Sequence, residues 1–470
     1  MTNTTREPEM QDFLLSGDPV VSGLVASQNY REAQDVLAEM LPQSEAVSGL
    51  AGLGTVLIVH DLGLVQLLRG DFEASVPNLS RALDGLGRIL GTSDAGTLSA
   101  ADSLGEALAG AFDHVRAREL HARALEGREK LLGLFHWDTL TSAMNLAIAS
   151  ARLGMFGEAR ALFLKVRDRA SRSLGERHPR TLKCLTCLGQ CLAGQGDLAG
   201  AREALERSLA LHNESLGTDH TGSMDAADSL AMFLMGLGEH GAARDVASEV
   251  LACSEERFGK LHQHSVRYRS HLGFALACGG DFRGAEEAFS EAAEYSAKLF
   301  GSRHPCTVTI VLNMFRMKAV TDGPLSVCGL YERTLESLER DSGPESPSAS
   351  IAAGEFGLVL ARLGELGRAA ELLRRAVSFY ERTLGPSHDV TVRHLKDLRA
   401  VLHRNGDSEE ALSIFRRVLM SLADRAVAEA RSSAGSLGVP DAWRMARREG
   451  DGVGEDCWKK FAARPGRDCH

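Results

Sequence analysis

A glycine recurs every 42 residues along this chain, and this fixed spacing constrains the fold more than any other feature of the sequence. Such a period is typical of a repeat array, in which each unit buries its apolar face only against its neighbours. The 470 residues are therefore expected to form one solenoid, and not the three domains of roughly 150 residues that length alone suggests. The column runs through nine positions without an insertion or deletion: Gly49, Gly91, Gly133, Gly175, Gly217, Gly259, Gly301, Gly343 and Gly385.

Two more columns describe the repeat as a pair of packed helices. One places a small residue after an apolar one, as at Gly189, and the other places Ala201 twelve positions later, followed by the large Leu205. The small residues let two helices approach closely, and the large residue fills the space between them. Gly196 stands between the two columns and allows the positive φ of a sharp antiparallel turn. Each repeat is therefore expected to be a helical hairpin.

The loop between repeats carries two polar columns. Thr181 is expected to be the N-cap of helix A, which spans about 182–194, and helix B spans about 198–215. Successive repeats lie roughly 20 Å apart at 8–10 Å per packed helix, whereas the ligands of one zinc ion lie about 2 Å from the metal. We therefore interpret the histidine column as loop imidazoles that bond to the backbone, and not as metal ligands: His136, His178, His220, His262, His304 and His388.

The order of these columns resembles the tetratricopeptide repeat, whose usual unit is shorter. The longer form, with LGERHPRTL at 174–182 and GSRHPCTV at 301–308, is similar to the repeats of kinesin light chains. The resemblance covers residues 55–425. It implies an all-α fold, a right-handed superhelical solenoid of antiparallel helix hairpins, whose concave face binds peptides or partner proteins.

The columns also divide the chain into three parts. Residues 1–54 are expected to hold a shortened capping repeat, because Ala33 and Leu37 match the helix B columns. Residues 55–425 hold nine repeats of 42 residues. Residues 426–470 are expected to be the end of the last helix and a flexible tail, in which the aromatic residues Trp443, Trp458 and Phe461 either stay free or dock on the last repeat or a partner.

The repeat at residues 307–348 departs from the columns. Phe315 replaces the small residue of helix A, Asp322 replaces the turn glycine and Val327 replaces the alanine of helix B. A bulky side chain at a close-packing position is expected to push the helices apart. Neutral drift and a kink or ligand notch both remain open as explanations.

Composition narrows the range of functions. The net charge of -10 disfavours nucleic-acid binding, because an acidic chain repels phosphate. The N-terminus lacks the basic start and apolar run of a signal peptide, and no stretch reaches the ~20 apolar residues of a membrane span. We expect a cytoplasmic protein without membrane contact.

The cysteines point to a reducing compartment. The nine cysteines are an odd number and lie mostly inside helical patterns, which favours reduced thiols. Cys184, Cys187 and Cys191 share one helix face, and a metal or redox cluster would need a fourth ligand that the same helix does not offer. Core packing is the preferred interpretation, so no metal and no cofactor is expected.

No catalytic motif is present. The sequence contains no phosphate loop, no nucleophile elbow and no HExxH. The preferred hypothesis is a non-catalytic scaffold or adaptor that binds a protein or peptide in its groove. The alternative is an enzyme, or an enzyme accessory protein, that binds a small molecule in the superhelix channel.

The resemblance places four positions of each helix A on the concave face. Asp61, Asp102 and Glu106 make its early part acidic, and the later part is more basic. In the family a groove asparagine clamps the backbone of an extended peptide, and an amide can both donate and accept. The acidic-peptide hypothesis assigns contact to the four cations in the following set of groove residues: Asn145, Lys183, Gln190, Arg267, His271, Asn313, Arg316 and Arg393.

Overall fold

The computed structural model describes residues 14–27 and 29–432, in which every regular element is an α-helix. The chain divides into two compact units. Unit 1 comprises the residues up to Leu153 together with Asp168–Ser173, and unit 2 comprises Gly154–Arg167 and the residues from Leu174 onward. The predicted all-α stack of helical hairpins is confirmed within each unit.

Helices of odd number from α3 onward correspond to helix A, and helices of even number correspond to helix B. Helix α8 (Phe156–Leu174) contributes residues to both units. Unit 1 contains α1 (Pro19–Ala26), α2 (Tyr30–Ser48), α3 (Leu53–Leu68), α4 (Phe72–Ile89), α5 (Ala95–Gly110), α6 (His114–Leu132) and α7 (Trp137–Arg152). Unit 2 contains α9 (Pro179–Gln195), α10 (Leu198–Leu216), α11 (Thr221–Leu237), α12 (His240–Phe258), α13 (Gln263–Cys278), α14 (Phe282–Phe300), α15 (Pro305–Thr321), α16 (Leu325–Ser342), α17 (Pro347–Leu363), α18 (Leu366–Thr383), α19 (Asp389–Asn405) and α20 (Ser408–Ser432).

The predicted contact between small and large residues holds each hairpin together. A Cβ atom added at Gly189 would lie 2.7 Å from Cγ of Leu205, so only glycine admits that leucine without displacement. Ala201 is fully buried on the facing helix. Gly189 and Leu205 lie at equal distances in sequence from the turn, as expected for two antiparallel helices.

Two kinds of glycine end the helices. Gly196 ends α9 in the left-handed region, with φ 87° and ψ 1°. Gly217 ends α10 with φ 87° and ψ 157°, a region that only glycine adopts readily. The invariance of the 42-residue column is explained by this second conformation, because all nine of its glycines have positive φ.

The prediction that Thr181 caps helix A is wrong. Helix α9 begins three residues earlier than expected, with Pro179 in the first turn and His178 as N-cap. The Nδ1 atom of His178 accepts from the backbone N–H of Arg180 at 3.3 Å. Thr181 is buried inside the first turn, and its hydroxyl donates to the carbonyl of Gly175 at 2.9 Å. The column hydroxyl therefore ties helix A to the loop.

The chain ends agree with the columns where the structure describes them. Ala33 and Leu37 of α2 are fully buried, as expected for a shortened repeat. The predicted last helix is α20, which extends to Ser432. The remainder of the predicted tail, with Trp443, Trp458 and Phe461, lies outside the described residues.

The irregular repeat forms an aromatic contact in place of the small-to-large one. Phe315 is buried and packs edge-to-face on Tyr331, with ring centroids 5.2 Å apart. Tyr331 also stacks on Phe356 of the next repeat. The turn is shifted by one residue, since Gly323 has the positive φ that Asp322 does not adopt. Phe315 thus stands at the position of Gly189 in the regular repeat, and Tyr331 stands at the position of Leu205.

Candidate functional site

One register position of helix A carries a row of mostly polar side chains. These residues, here called the groove row, are 42 apart on α3 to α19: Asp61, Ser103 and Asn145 in unit 1, and Cys187, Ser229, His271, Asn313, Glu355 and Asp397 in unit 2. Three of them bond to a residue 39 positions earlier, on the preceding helix A. Because the same offset recurs, these hydrogen bonds repeat one geometric contact between adjacent hairpins.

In unit 1 the groove row borders an open cleft. Asn145 donates through Nδ2 to Oε1 of Glu106 at 2.8 Å. The cleft has a volume of about 400 Å³, and both residues line it. Its walls combine apolar side chains such as Ile148 with the polar groups of His121 and Arg152. The combination of an apolar surface with a few polar groups is typical of a ligand site.

Beneath this cleft lies a buried ionic network centred on Asp102. Its carboxylate accepts from Nδ1 of His121 at 2.8 Å and from the hydroxyl of Ser142 at 2.6 Å. The Arg128 guanidinium also donates to it and reaches the hydroxyl of Ser99 at 3.1 Å. The expected groove residue Asp102 is therefore buried, and its charge is neutralised inside unit 1.

Asp61 is also buried, and its carboxylate binds two backbone N–H groups and one side chain. Its Oδ1 and Oδ2 atoms accept from the N–H groups of Leu15 and Ser16, each at 2.8 Å. Nδ1 of His60 lies 2.9 Å from the same Oδ1. Asp61 belongs to the groove row, so one position of that row holds two consecutive backbone amides of a non-helical segment.

In unit 2 the first two predicted groove residues are side chains that are open to solvent. Lys183 and Gln190 are exposed on α9. Gln190 donates through Nε2 to the hydroxyl of Ser229 on the next helix A at 2.9 Å. Lys183 makes no hydrogen bond or ion pair with the residues that the structure describes, so its ammonium group is available to a partner.

The next two predicted residues are each held by an aspartate. Arg267 donates to Asp225 and to the hydroxyl of Tyr268, which itself donates to Asp225 at 2.7 Å. The Arg267 guanidinium also lies over the Tyr268 ring. His271 Nδ1 lies 2.7 Å from Oδ1 of Asp228. Arg267 keeps 43% of its side chain exposed, so the ion pair orients it at the surface.

Arg316 is the most enclosed of the predicted cations. Its guanidinium donates to both oxygens of Glu355, at 2.5 Å and 3.3 Å, and to Oδ1 of Asn313 at 3.2 Å. Burial alone would raise the pKa of Glu355, but the Arg316 charge and hydrogen bond outweigh it and hold the pKa below its usual value. Glu355 is therefore ionised at neutral pH.

Arg393 is the last of the four predicted cations along the chain. It is exposed on α19 and forms no ion pair within the described part of the chain. Its charge contributes to the lowered pKa of Glu355. The four predicted cations thus fall into two classes: Lys183 and Arg393 are available at the surface, whereas Arg267 and Arg316 are paired with acids.

The cysteines of α9 and the column histidines contact the chain's own backbone or core. Burial raises the pKa of Cys184 to about 12 and that of Cys191 to about 11, so both thiols stay protonated. Cys184 donates to the carbonyl of Phe163. Across the described residues, no three His, Cys, Asp or Glu side chains group closely enough to hold a metal ion. All six column histidines accept a backbone N–H through Nδ1, as predicted.

Three further candidate site residues were not predicted from the sequence. Glu355 lies in the groove row and pairs with Arg316. Phe112 replaces a turn glycine and has φ 65°, the one described non-glycine residue with positive φ. His121 replaces the large residue of helix B, and its Cε1 would lie 2.7 Å from a Cβ at Gly105. Both Phe112 and His121 line the unit 1 cleft, and their departure from the columns was the available signal.

Stacked helical hairpins with a polar row along helix A define a helical-repeat protein. The tetratricopeptide repeat family model matches residues 54–130, 138–214, 185–256 and 349–420, which together exceed half of the chain. The chain therefore belongs to the tetratricopeptide repeat family. No curated protein matches it. Among described residues, none of the helices combines the length and apolarity needed to cross a lipid bilayer.

Several solved structures are similar to parts of this chain. The nearly identical TPR-like repeats of a kinesin light chain candidate from Podosopora anserina are 22% identical, with 42% of this chain and 94% of that chain covered and a TM-score of 0.37. A Rap protein complexed with competence and sporulation factor is 11% identical, with 79% and 99% covered and a TM-score of 0.50. The apo quorum sensor NprR from B. thuringiensis is 8% identical, with 77% and 96% covered and a TM-score of 0.47.

Proposed function

We propose that this chain is a non-catalytic scaffold, located in the cytoplasm, whose groove row binds a segment of a protein or peptide partner. The observation that carries the proposal is Asp61, which already binds two consecutive backbone N–H groups from a non-helical segment. Backbone contacts of this kind bind a segment without requiring a particular side chain. A Rap protein of similar fold is complexed with competence and sporulation factor, which is consistent with a binding role for these repeats.

The more specific proposal is that unit 2 binds an acidic partner segment. Lys183 and Arg393 supply available charge, while Arg267 and Arg316 are oriented by Asp225 and Glu355. A preorganised guanidinium loses little rotamer freedom when it binds a carboxylate. The other candidate residues are polar side chains that recognise backbone or amide groups: Gln190, His271 and Asn313 in unit 2 and, at the separate cleft of unit 1, Asn145.

The test is an array of 12-residue peptides sorted by net charge and probed with the full chain. We expect acidic peptides to be retained most strongly, and Lys183→Glu and Arg393→Glu each to weaken retention about fivefold to tenfold. Lys165→Glu is the matched control, because Lys165 is also exposed but lies on helix B. Equal loss in the control, or no preference for acidic peptides, would contradict the acidic-partner proposal.

A second candidate function is favoured by the unit 1 cleft. Its volume of about 400 Å³ lies within the range of small-molecule sites, roughly 300–1,000 Å³. Native mass spectrometry of the full chain, purified without denaturation, tests this alternative. A bound small molecule that is lost on Asn145→Leu would favour the cleft as a ligand site, and a chain of unmodified mass would count against it.

A further inference from the structure

We propose that the recess around Asp61 is an exchangeable peptide-binding subsite, which the chain's own residues 14–16 fill and which accepts a partner segment of the same chemistry. The inference rests on the proposed function and adds the class of ligand. That class is a short segment with two adjacent apolar residues, then a small polar residue, and with two consecutive unblocked backbone N–H groups.

The polar half of the recess is the Asp61 carboxylate, which binds backbone N–H groups of the segment. Both oxygens of the Asp61 carboxylate are used, one by the N–H of Leu15 and one by that of Ser16, each at 2.8 Å. Hydrogen bonds to an ionised acceptor are about twice as strong as neutral ones. Because both donors belong to the backbone, proline or an N-methylated residue at either position cannot be accepted.

The apolar half of the recess selects the two leucines. Leu14 is 8% exposed and belongs to the cluster that α1, α2 and α3 form, with Val25, Leu37 and Leu62 among its members. Leu15 packs against the neighbouring cluster of α3 to α6. One apolar side chain therefore enters each of two adjacent clusters, and the carboxylate holds the backbone next to them.

The segment is separable from the helix that follows it. Gly17 has φ 69°, and nothing lies within 4 Å of the place where its Cβ would be. Asp18 then caps α1 by accepting from the N–H groups of Val20 and Val21. The helix is thus capped by Asp18, and Gly17 provides a turn at which residues 14–16 can leave while α1 keeps its cap.

A buried histidine in contact with Asp61 carries a ring nitrogen that the chain's own segment leaves without a partner. His60 is fully buried, and its Nε2 has no hydrogen-bond partner among the described residues. A buried polar group without a hydrogen-bond partner destabilises the structure that contains it. A partner segment with a polar side chain that reaches Nε2 would gain a hydrogen bond that residues 14–16 do not make, which favours exchange.

The test uses the full chain and a fluorescent peptide, acetyl-QDFLLSGD-amide, which repeats residues 11–18. The double variant Leu15→Pro with Ser16→Pro removes both N–H donors from the chain's own segment. We expect this variant to bind the peptide at least tenfold more tightly than the unaltered chain, as measured by fluorescence anisotropy. Adding Asp61→Asn to the variant is expected to weaken binding about tenfold.

A peptide with N-methyl groups on the second leucine and the serine is the matched control. Equal binding of the two peptides, or no binding to a variant that retains its helical circular dichroism, would overturn the proposal. If the variant does not fold, hydrogen exchange on the unaltered chain decides the matter. Excess peptide should then accelerate exchange at Leu15 and Ser16, and unchanged exchange would overturn the proposal.

These outcomes are independent of the array experiment. The peptide carries two aspartates, so Lys183→Glu is expected to weaken any charge-driven binding to unit 2 equally for the plain and the N-methylated peptide, whereas Asp61→Asn is expected to weaken binding of the plain peptide alone. The recess can therefore fail as a subsite while acidic peptides still bind unit 2, or the reverse.

Discussion

Replacement of Arg128 by methionine should destabilise unit 1 far more than an equivalent change at the surface. The guanidinium donates to Asp102, and the two side chains are only 5% and 8% exposed. Methionine retains most of the apolar stem but removes the charge, so the Asp102 carboxylate stays buried without its cation. Breaking a buried pair in this way costs about 3–5 kcal/mol.

The remaining partners of Asp102 set the lower end of that range. The carboxylate keeps the hydrogen bonds from Ser142 at 2.6 Å and from Nδ1 of His121 at 2.8 Å. We therefore expect about 3 kcal/mol. Arg169→Met is the matched control, because Arg169 pairs with Glu129 where the side chains are 21% and 35% exposed. Such a pair contributes about 0.2–1 kcal/mol.

Hydrogen exchange with mass spectrometry suits this measurement, because long repeat arrays do not unfold in a single step. A loss of 3 kcal/mol corresponds to roughly a hundredfold faster exchange in α5, α6 and α7. The control should change exchange less than about fivefold, and peptides of α17 to α19 should be unaffected by either variant. Equal effects of Arg128→Met and Arg169→Met would refute the reasoning, since they would mean that Asp102 is solvated.

Three further outcomes follow from the structure. Gly189→Ala should destabilise α9 and α10 by about 1 kcal/mol, because overpacking against Leu205 exceeds the gain in helix propensity. Gly329→Ala, whose added Cβ would have its nearest contact at 3.6 Å, should stabilise α16 by about 1 kcal/mol. Hydrogen exchange of peptides from these helices measures both changes. Burial holds the pKa of His394 below its usual 6.5, so below pH 6.5 this histidine binds a proton more readily in the unfolded chain than in the folded one. The melting temperature should therefore fall as the pH drops below 6.5, and His394→Gln should make its dependence on pH less steep. Arg316 holds the pKa of Glu355 below its usual 4.5, so the ionised carboxylate stabilises the fold above about pH 4.5. This stabilisation is lost as the pH falls through the lowered pKa, and Glu355→Gln should remove that part of the acid sensitivity.

The helices and their contacts could be predicted because each repeat faces a copy of itself. Any residue needed at an interface must then recur at the same interval, and Gly189 and Leu205 show it directly. The capping error had a local cause. Proline is favoured at the first helical position, so Pro179 already indicated that His178, and not Thr181, ends the loop.

The pairing of the groove residues could not be predicted in the same way. A periodic comparison aligns positions that are 42 apart, whereas Arg316 bonds to Glu355 across 39 residues and His271 to Asp228 across 43. These contacts depend on how adjacent helices cross, which the period does not contain. The sequence therefore did not predict that two of its cations are held by acids.

Positions that break the columns carry more information about function than positions that obey them. A glycine such as Gly217 is explained by folding alone, because its φ and ψ exclude other residues. Phe112 stands instead in the turn column of Gly196 with φ 65°, a left-handed conformation that costs on the order of 1–2 kcal/mol for a bulky residue. His121 likewise replaces an apolar contact beside Gly105. Both exceptions line the same cleft of unit 1, and strain retained at a cleft wall favours a binding role for that cleft over drift.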